Sequence, residues 1–231
     1  MTMTDATDFE VLDRLLTERR SRRGYLDDDV PRETLDRILT AAQRSASWCN
    51  TQPWELVIVS GQAKDDLSKA LTDSVIETFG QPAQPDFAFP ERYDGVYDAR
   101  RKEVGWQLYE AVGVERGDRQ GSAVQMLRNF EFFGAPHVAI VTTEADLGVY
   151  GAIDCGLYVD SFMLAAQALG VGTCAQAALA QVAPALRAEL GLPESRRIVC
   201  GIAFGFPDPE HPTARFTSHR VPIDTAVTHL R

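Results

Sequence analysis

Residues 150–169 constrain this fold more than any other stretch. Read as a helix, they spread Ala152, Ile153, Leu157, Val159, Met163, Leu164, Ala165 and Ala168 around most of the circumference. A helix with so little polar surface belongs in the centre of a core or in a subunit interface. Gly151, Ala152, Gly156, Ser161 and Ala165 are small enough to let another helix approach closely. Gly170 follows as a helix C-cap. The run Gly170-Val171-Gly172-Thr173-Cys174-Ala175 formally satisfies G-x-G-x-x-A, but it ends a helix instead of joining a strand to one. A dinucleotide fingerprint is therefore excluded there.

The rest of the chain reads as mixed α and β. Residues 9–20 place Val11, Leu12, Leu15 and Leu16 at helical spacing. A second helix begins at Pro31 and turns Leu35, Ile38, Leu39 and Ala42 toward the core. A third, residues 61–79, carries Leu67, Leu71, Val75 and Ile76; a fourth contains Trp106, Leu108 and Tyr109. After a polar break at residues 115–121, a fifth helix runs to about Phe133, and a short one spans residues 184–190. Strands are expected at residues 54–59, 138–142 and 197–204, where β-branched and aromatic residues concentrate. Residues 80–97 interleave Pro82, Pro85 and Pro90 with Phe87, Phe89, Tyr93 and Tyr97, too aromatic for a solvated spacer. That stretch reads as a loop or lid.

A length of 231 residues fits one α/β domain. The start of the chain has neither the basic nor the apolar region of a signal peptide, and no run approaches ~18 uninterrupted apolar residues. No membrane span is implied. Cys49, Cys155, Cys174 and Cys200 are scattered without a C-x-x-C pair, as in a cytoplasmic protein with reduced thiols. His137, His211, His219 and His229 lack metal-ligand spacing, so no metal site is expected.

Two stretches carry chemistry. Arg19-Arg20-Ser21-Arg22-Arg23 puts four arginines into five residues of a chain with net charge −10. One short basic run in acidic surroundings disfavours nucleic acid. A compact anion such as a single phosphate suits it better, because guanidinium forks hold phosphate oxygens bidentately. The second stretch runs from Arg44 to Trp54 and is crowded with Ser45, Ser47, Asn50, Thr51 and Gln52. Alone it is an ordinary helix-to-strand loop. Its short polar side chains and backbone N–H groups can also face a flat polar ligand.

In this order and spacing, Arg19-Arg20-Ser21-Arg22-Arg23-Gly24-Tyr25 and Ser47-Trp48-Cys49-Asn50-Thr51-Gln52-Pro53-Trp54 resemble the flavin-dependent nitroreductase family, in its nitrobenzoate-reductase-like branch. Ser218-His219-Arg220-Val221-Pro222 resembles the family's late [Lys/Ser]-x-Arg-x-Pro motif. The resemblance implies an α+β sandwich: a central, mainly antiparallel sheet flanked by helices, built as an interlocked homodimer. It further implies a single domain over residues 1–231, a lid or helical insertion at 80–120, and a C-terminal extension at 207–231 reaching onto the partner.

The implied cofactor is FMN, with NAD(P)H as electron donor and small nitroaromatic or quinone-like acceptors. Arg19, Arg20 and Arg220 would anchor the phosphate, with Ser21 donating to it or to the ribityl oxygens. Arg23 would lie near N1/O2 of the ring. Asn50 and Gln52 would reach the flavin from the partner subunit, and Ser47 and Trp48 of the same loop are counted with the cofactor-binding residues. Asn129 would touch its edge, and the backbone at Gln176 and Ala177 would face N5 and O4. No catalytic side chain is nominated. Reductive dehalogenation of halophenols on the same fold, or flavin binding without turnover, are the alternatives.

Overall fold

A computed structural model describes residues 7–230. Seven α-helices and four strands are present among them: α1 (Asp8–Glu18), α2 (Arg32–Ala42), β1 (Glu55–Ser60), α3 (Gly61–Glu77), α4 (Gly95–Ala111), α5 (Arg119–Leu127), β2 (His137–Glu144), α6 (Gly148–Ala168), β3 (Gly172–Gln176), α7 (Ala183–Leu190) and β4 (Arg196–Gly205). The strands form one sheet in the order β1-β2-β4-β3, and every pairing is antiparallel. The expected α+β sandwich is present.

Both faces of the sheet are covered. Val138 and Ile140 of β2 point to one side, where Leu67 and Leu71 of α3 and Leu186 of α7 meet them. Ala139 and Val141 point to the other, against Ile38 of α2 and Cys155 and Phe162 of α6. A strand buried on both faces loses the alternation of apolar and polar residues, so β2 reads as a continuous apolar run.

Two expectations about secondary structure need correction. The fifth helix stops at Leu127, not Phe133. Phe132 and Phe133 adopt φ of 53° and 55°, and a 3-10 turn over Phe132–Gly134 buries both rings. Continuing the helix would have pulled these rings out of the core. The second correction is β3, which had no counterpart in the sequence pattern. Gly-Thr-Cys-Ala-Gln has little strand propensity, and its ladder with Gly201–Gly205 of β4 makes it a strand.

Two helices leave apolar faces uncovered. On α6, Asp154, Cys155, Tyr158 and Phe162 are buried, while Val149, Tyr150, Ile153 and Leu157 face outward. The 24 residues Ala145–Ala168 are long and apolar enough to cross a membrane by composition alone. Packing against α2 and three strands, with Asp154 inside, marks α6 instead as a core helix with one uncovered face. Helix α1 begins with a capping box between Thr7 and Glu10, yet buries no residue, leaving Phe9, Leu12 and Leu16 exposed. Helix α4 buries none either. The segment leading to it is tied down at Asp86, which accepts from Arg187, Arg197 and the Ile198 N–H.

Candidate functional site

Where α1 ends, residues 19–25 run along the edge of β3. Ser21 forms a parallel bridge with Thr173, and the Arg22 N–H donates to the Thr173 carbonyl at 2.8 Å. The C-terminal segment returns beside it, Tyr25 bridging to Pro207. Between these two stretches and α4 lies a cavity of about 490 Å³, lined by Arg19, Arg20, Ser21, Arg23, Val104, Ser218 and Arg220 among others. Three arginines from one end of the chain and one from the other thus meet in a single space.

No carboxylate lines that space. Among the described residues none of the four guanidiniums enters an ion pair. Arg20 Nε donates only to the Glu18 carbonyl at 3.4 Å, and Arg220 Nη1 only to oxygens of Ser218 and His219. Arg23 Nη1 is buried without a hydrogen-bond partner, its guanidinium lying 5.6 Å from the Phe133 ring centroid and 6.0 Å from that of Phe216. Four like charges held together without counter-charge repel one another, and a small dianion would relieve that repulsion.

The polar loop is a separate feature within one chain, since none of Ser47, Trp48, Asn50 and Gln52 lines the arginine cavity. Cys49, Asn50 and Gln52 hold φ of 52°, 57° and 47°, a left-handed conformation that costs a non-glycine residue about 1 kcal/mol or more. Two bonds fix it: Ser47 Oγ accepts from the Gln52 N–H at 3.0 Å, and the Asp154 carboxylate accepts from the Trp48 N–H at 3.2 Å. The Trp48 ring lies 4.6 Å from that of Tyr150 and stays mostly exposed, as do Asn50 and Gln52. The loop is therefore held in shape with its polar side chains facing outward.

Asn129 and Gln176 come together. The Gln176 amide, buried at the end of β3, donates to the Asn129 carbonyl at 2.8 Å, and its Oε1 has no partner. The Asn129 side chain donates back to the Met126 carbonyl at 3.0 Å, closing the end of α5. Ala177 is exposed and opens a 3-10 helix. Sequence reasoning missed Asp154 as the anchor of the polar loop. A carboxylate inside the most apolar helix of the chain was its one available signal.

Three of the four thiols are buried or partly buried, while Cys49, in the polar loop, is exposed. Burial raises Cys174, and it pushes Cys155 to about 11 and Cys200 to about 12. Among the described residues no three His, Cys, Asp or Glu side chains converge to hold a metal.

The "Nitroreductase family" model matches residues 16–206, most of the chain. The chain belongs to the nitroreductase family. A 4-nitrobenzoate reductase from Nocardioides sp. (strain LMS-CY) is 37% identical over 228 residues, 96% of this chain and 90% of that protein. Nitroreductase NfnB from Mycolicibacterium smegmatis (strain ATCC 700084 / mc(2)155) is 37% identical over 217 residues, 92% of this chain and 88% of that one. The crystal structure of the FMN-dependent nitroreductase NfnB from Mycobacterium smegmatis in complex with NADPH superposes with a TM-score of 0.91 at 33% identity, covering 96% of this chain and 99% of that chain.

Proposed function

We propose that this nitroreductase-family protein is a cytoplasmic FMN-dependent NAD(P)H oxidoreductase that reduces nitroaromatic acceptors and acts as a homodimer. The observation that carries the proposal is the unpaired guanidinium cluster of Arg19, Arg20, Arg23 and Arg220 around one cavity. The family match and the FMN, NADPH and nitroarene named for its relatives support the same conclusion.

The residues present fit FMN. Arg19, Arg20 and Arg220, with Ser21, would hold the phosphate, and the orphaned Arg23 Nη1 is a buried donor awaiting an acceptor such as the pyrimidine edge. When bound, the flavin would supply the hydride chemistry between nicotinamide and acceptor. The protein's task is to bind, orient and leave one face of the ring open, so no side chain is required as acid or base. Water in an open pocket can deliver the protons.

The homodimer accounts for what one chain leaves unfinished. Phe9, Leu12 and Leu16 of α1 and Val149, Tyr150, Ile153 and Leu157 of α6 make apolar faces of a kind a second copy would cover. Ser47, Trp48, Asn50 and Gln52 would then reach the partner's flavin, meeting Asn129, Gln176 and Ala177 around the ring. Residues 80–120 would form a lid, and residues 207–231 would extend onto the partner, all within one domain. The test is stopped-flow mixing of the purified yellow protein with NADPH or NADH. Rapid bleaching of the flavin absorbance, followed by reoxidation on adding a nitrobenzoate, is the expected result. A preparation that takes up no FMN, or whose flavin stays oxidised, would overturn the proposal.

A further inference from the structure

One arginine of the basic run does not line the cavity. Arg22 turns away from it and is half-buried between two other segments. Its Nη1 donates to the Ala214 carbonyl at 3.0 Å, 192 residues along the chain. Its side-chain stem occupies the space over Gly172, where an added Cβ would lie 2.8 Å from Arg22 Cγ, with Pro207 at 3.3 Å beside it. The backbone is equally fixed: the Tyr25 hydroxyl donates to the Arg22 carbonyl at 2.9 Å. Burial, with the charge of Arg20 adding to it, lowers the pKa of Arg22; a guanidinium nonetheless stays protonated in a protein.

Ala214 stands just before Phe216, Thr217, Ser218 and Arg220, all of which line the cavity. Past Ala214 the tail has one side-chain hydrogen bond to the rest of the chain among the described residues, the exposed His219–Glu103 contact at 2.9 Å, besides the looser stacking of Phe216 against Arg23 at 6.0 Å. Exposed pairs of that kind contribute little. The bond from Arg22 is thus the last strong fastening before the segment that carries Arg220.

We infer that Arg22 is a positioning residue: it touches no phosphate, but clamps the C-terminal segment so that Arg220 is delivered to the flavin phosphate. This rests on the flavin reading of the cavity. Arg22→Met keeps the stem over Gly172 and removes the guanidinium bond, whereas Arg22→Lys keeps a charge and one donor.

The test is fluorescence titration of FMN and of riboflavin into the flavin-stripped full-length protein. It is run on the parent, both Arg22 variants, Arg220→Ala, and Arg220→Ala combined with Arg22→Met. Loss of one charge-assisted bond should weaken FMN about tenfold in Arg22→Met. Riboflavin, lacking the phosphate, should bind as before, Arg22→Lys should recover part of the loss, and Arg22→Met should change nothing further once Arg220 is alanine. Parent-like FMN affinity in Arg22→Met, an undiminished loss in the Arg220→Ala background, or equal loss of riboflavin would each overturn the inference while leaving the phosphate site standing. Parent-like FMN affinity in Arg220→Ala would instead remove that arginine from the phosphate site, and Arg22's role with it.

Discussion

Replacing Asp86 with alanine removes the side-chain tie that holds the start of the 80–97 segment to the body of the protein, leaving the backbone bond from the Gln84 N–H to the Gln181 carbonyl. Its carboxylate, 9% exposed, accepts from Arg187 Nη2 at 2.8 and 3.0 Å, from Arg197 Nη1 at 3.2 Å and from the Ile198 N–H at 2.7 Å. Truncating one partner of a buried pair costs roughly 3–5 kcal/mol, because the other charge is stranded. Here the stranding is incomplete, since Arg187 Nη1 keeps the carbonyls of Pro193 and Arg196, both at 2.8 Å. Arg197, 42% exposed, adds little. The lost acceptor of the Ile198 N–H adds about 1 kcal/mol or more. A destabilisation of about 3 kcal/mol results, which for a chain of this size lowers the melting temperature by about 6–12 °C. Thermal and urea unfolding of parent and Asp86→Ala, at one protein concentration so that self-association is held constant, measures it. Asp86→Asn, which keeps an oxygen for the Ile198 N–H, should lose about half as much. A variant within about 0.5 kcal/mol of the parent would refute the reasoning, placing Asp86 among ordinary surface residues.

The pH dependence of stability follows from two histidines. Burial, opposed by the Asp29 carboxylate and aided by the Lys64 charge, lowers the pKa of His137, whose Nε2 accepts from the Val30 N–H at 2.9 Å; burial, opposed by Asp208 and aided by Arg128, lowers that of His211. A depressed histidine is neutral in the fold, so its contribution is complete above the unfolded value of about 6.5 and is lost as pH falls toward the folded value. Unfolding free energies from urea titrations should be flat above pH 7 and decline below 6.5 by up to about 1.4 kcal/mol per pH unit for each proton, less steeply in His137→Gln; a profile rising on acidification would contradict this. Asp154→Ala strands the Trp48 N–H and releases a loop holding three left-handed residues. It should weaken FMN and riboflavin alike, since the phosphate cavity is untouched; unchanged binding of both would remove the loop from the flavin site.

How much the sequence disclosed depended on the range of the interactions. The basic run, the polar loop and the apolar helix were legible because each is a local pattern with a narrow set of physical uses. Trp54, where the polar loop meets the expected strand, is buried, its Nε1 donating to Gln43. Helical spacing, however, cannot say what covers an apolar face. Leu12 and Leu16 have the pattern of core residues, and the chain itself leaves them exposed. β3 escaped notice because its partner strand, not its composition, makes it extended. The break at Phe132 and Phe133 was hidden because two phenylalanines in left-handed conformation run against local preference, and burial of their rings compensates. Contacts such as Arg22 to Ala214 and Asp86 to Arg187, whose partners stand 192 and 101 positions apart, leave no trace in any local window.

The central claim is that an unpaired guanidinium cluster binds this protein's cofactor through its phosphate. Titrating FMN and riboflavin into the flavin-stripped parent protein at several salt concentrations tests it most directly. FMN should bind at least about 100-fold more tightly than riboflavin at low salt, and the gap should narrow as salt rises while riboflavin affinity stays level. Equal affinity for the two flavins, independent of salt, would contradict it.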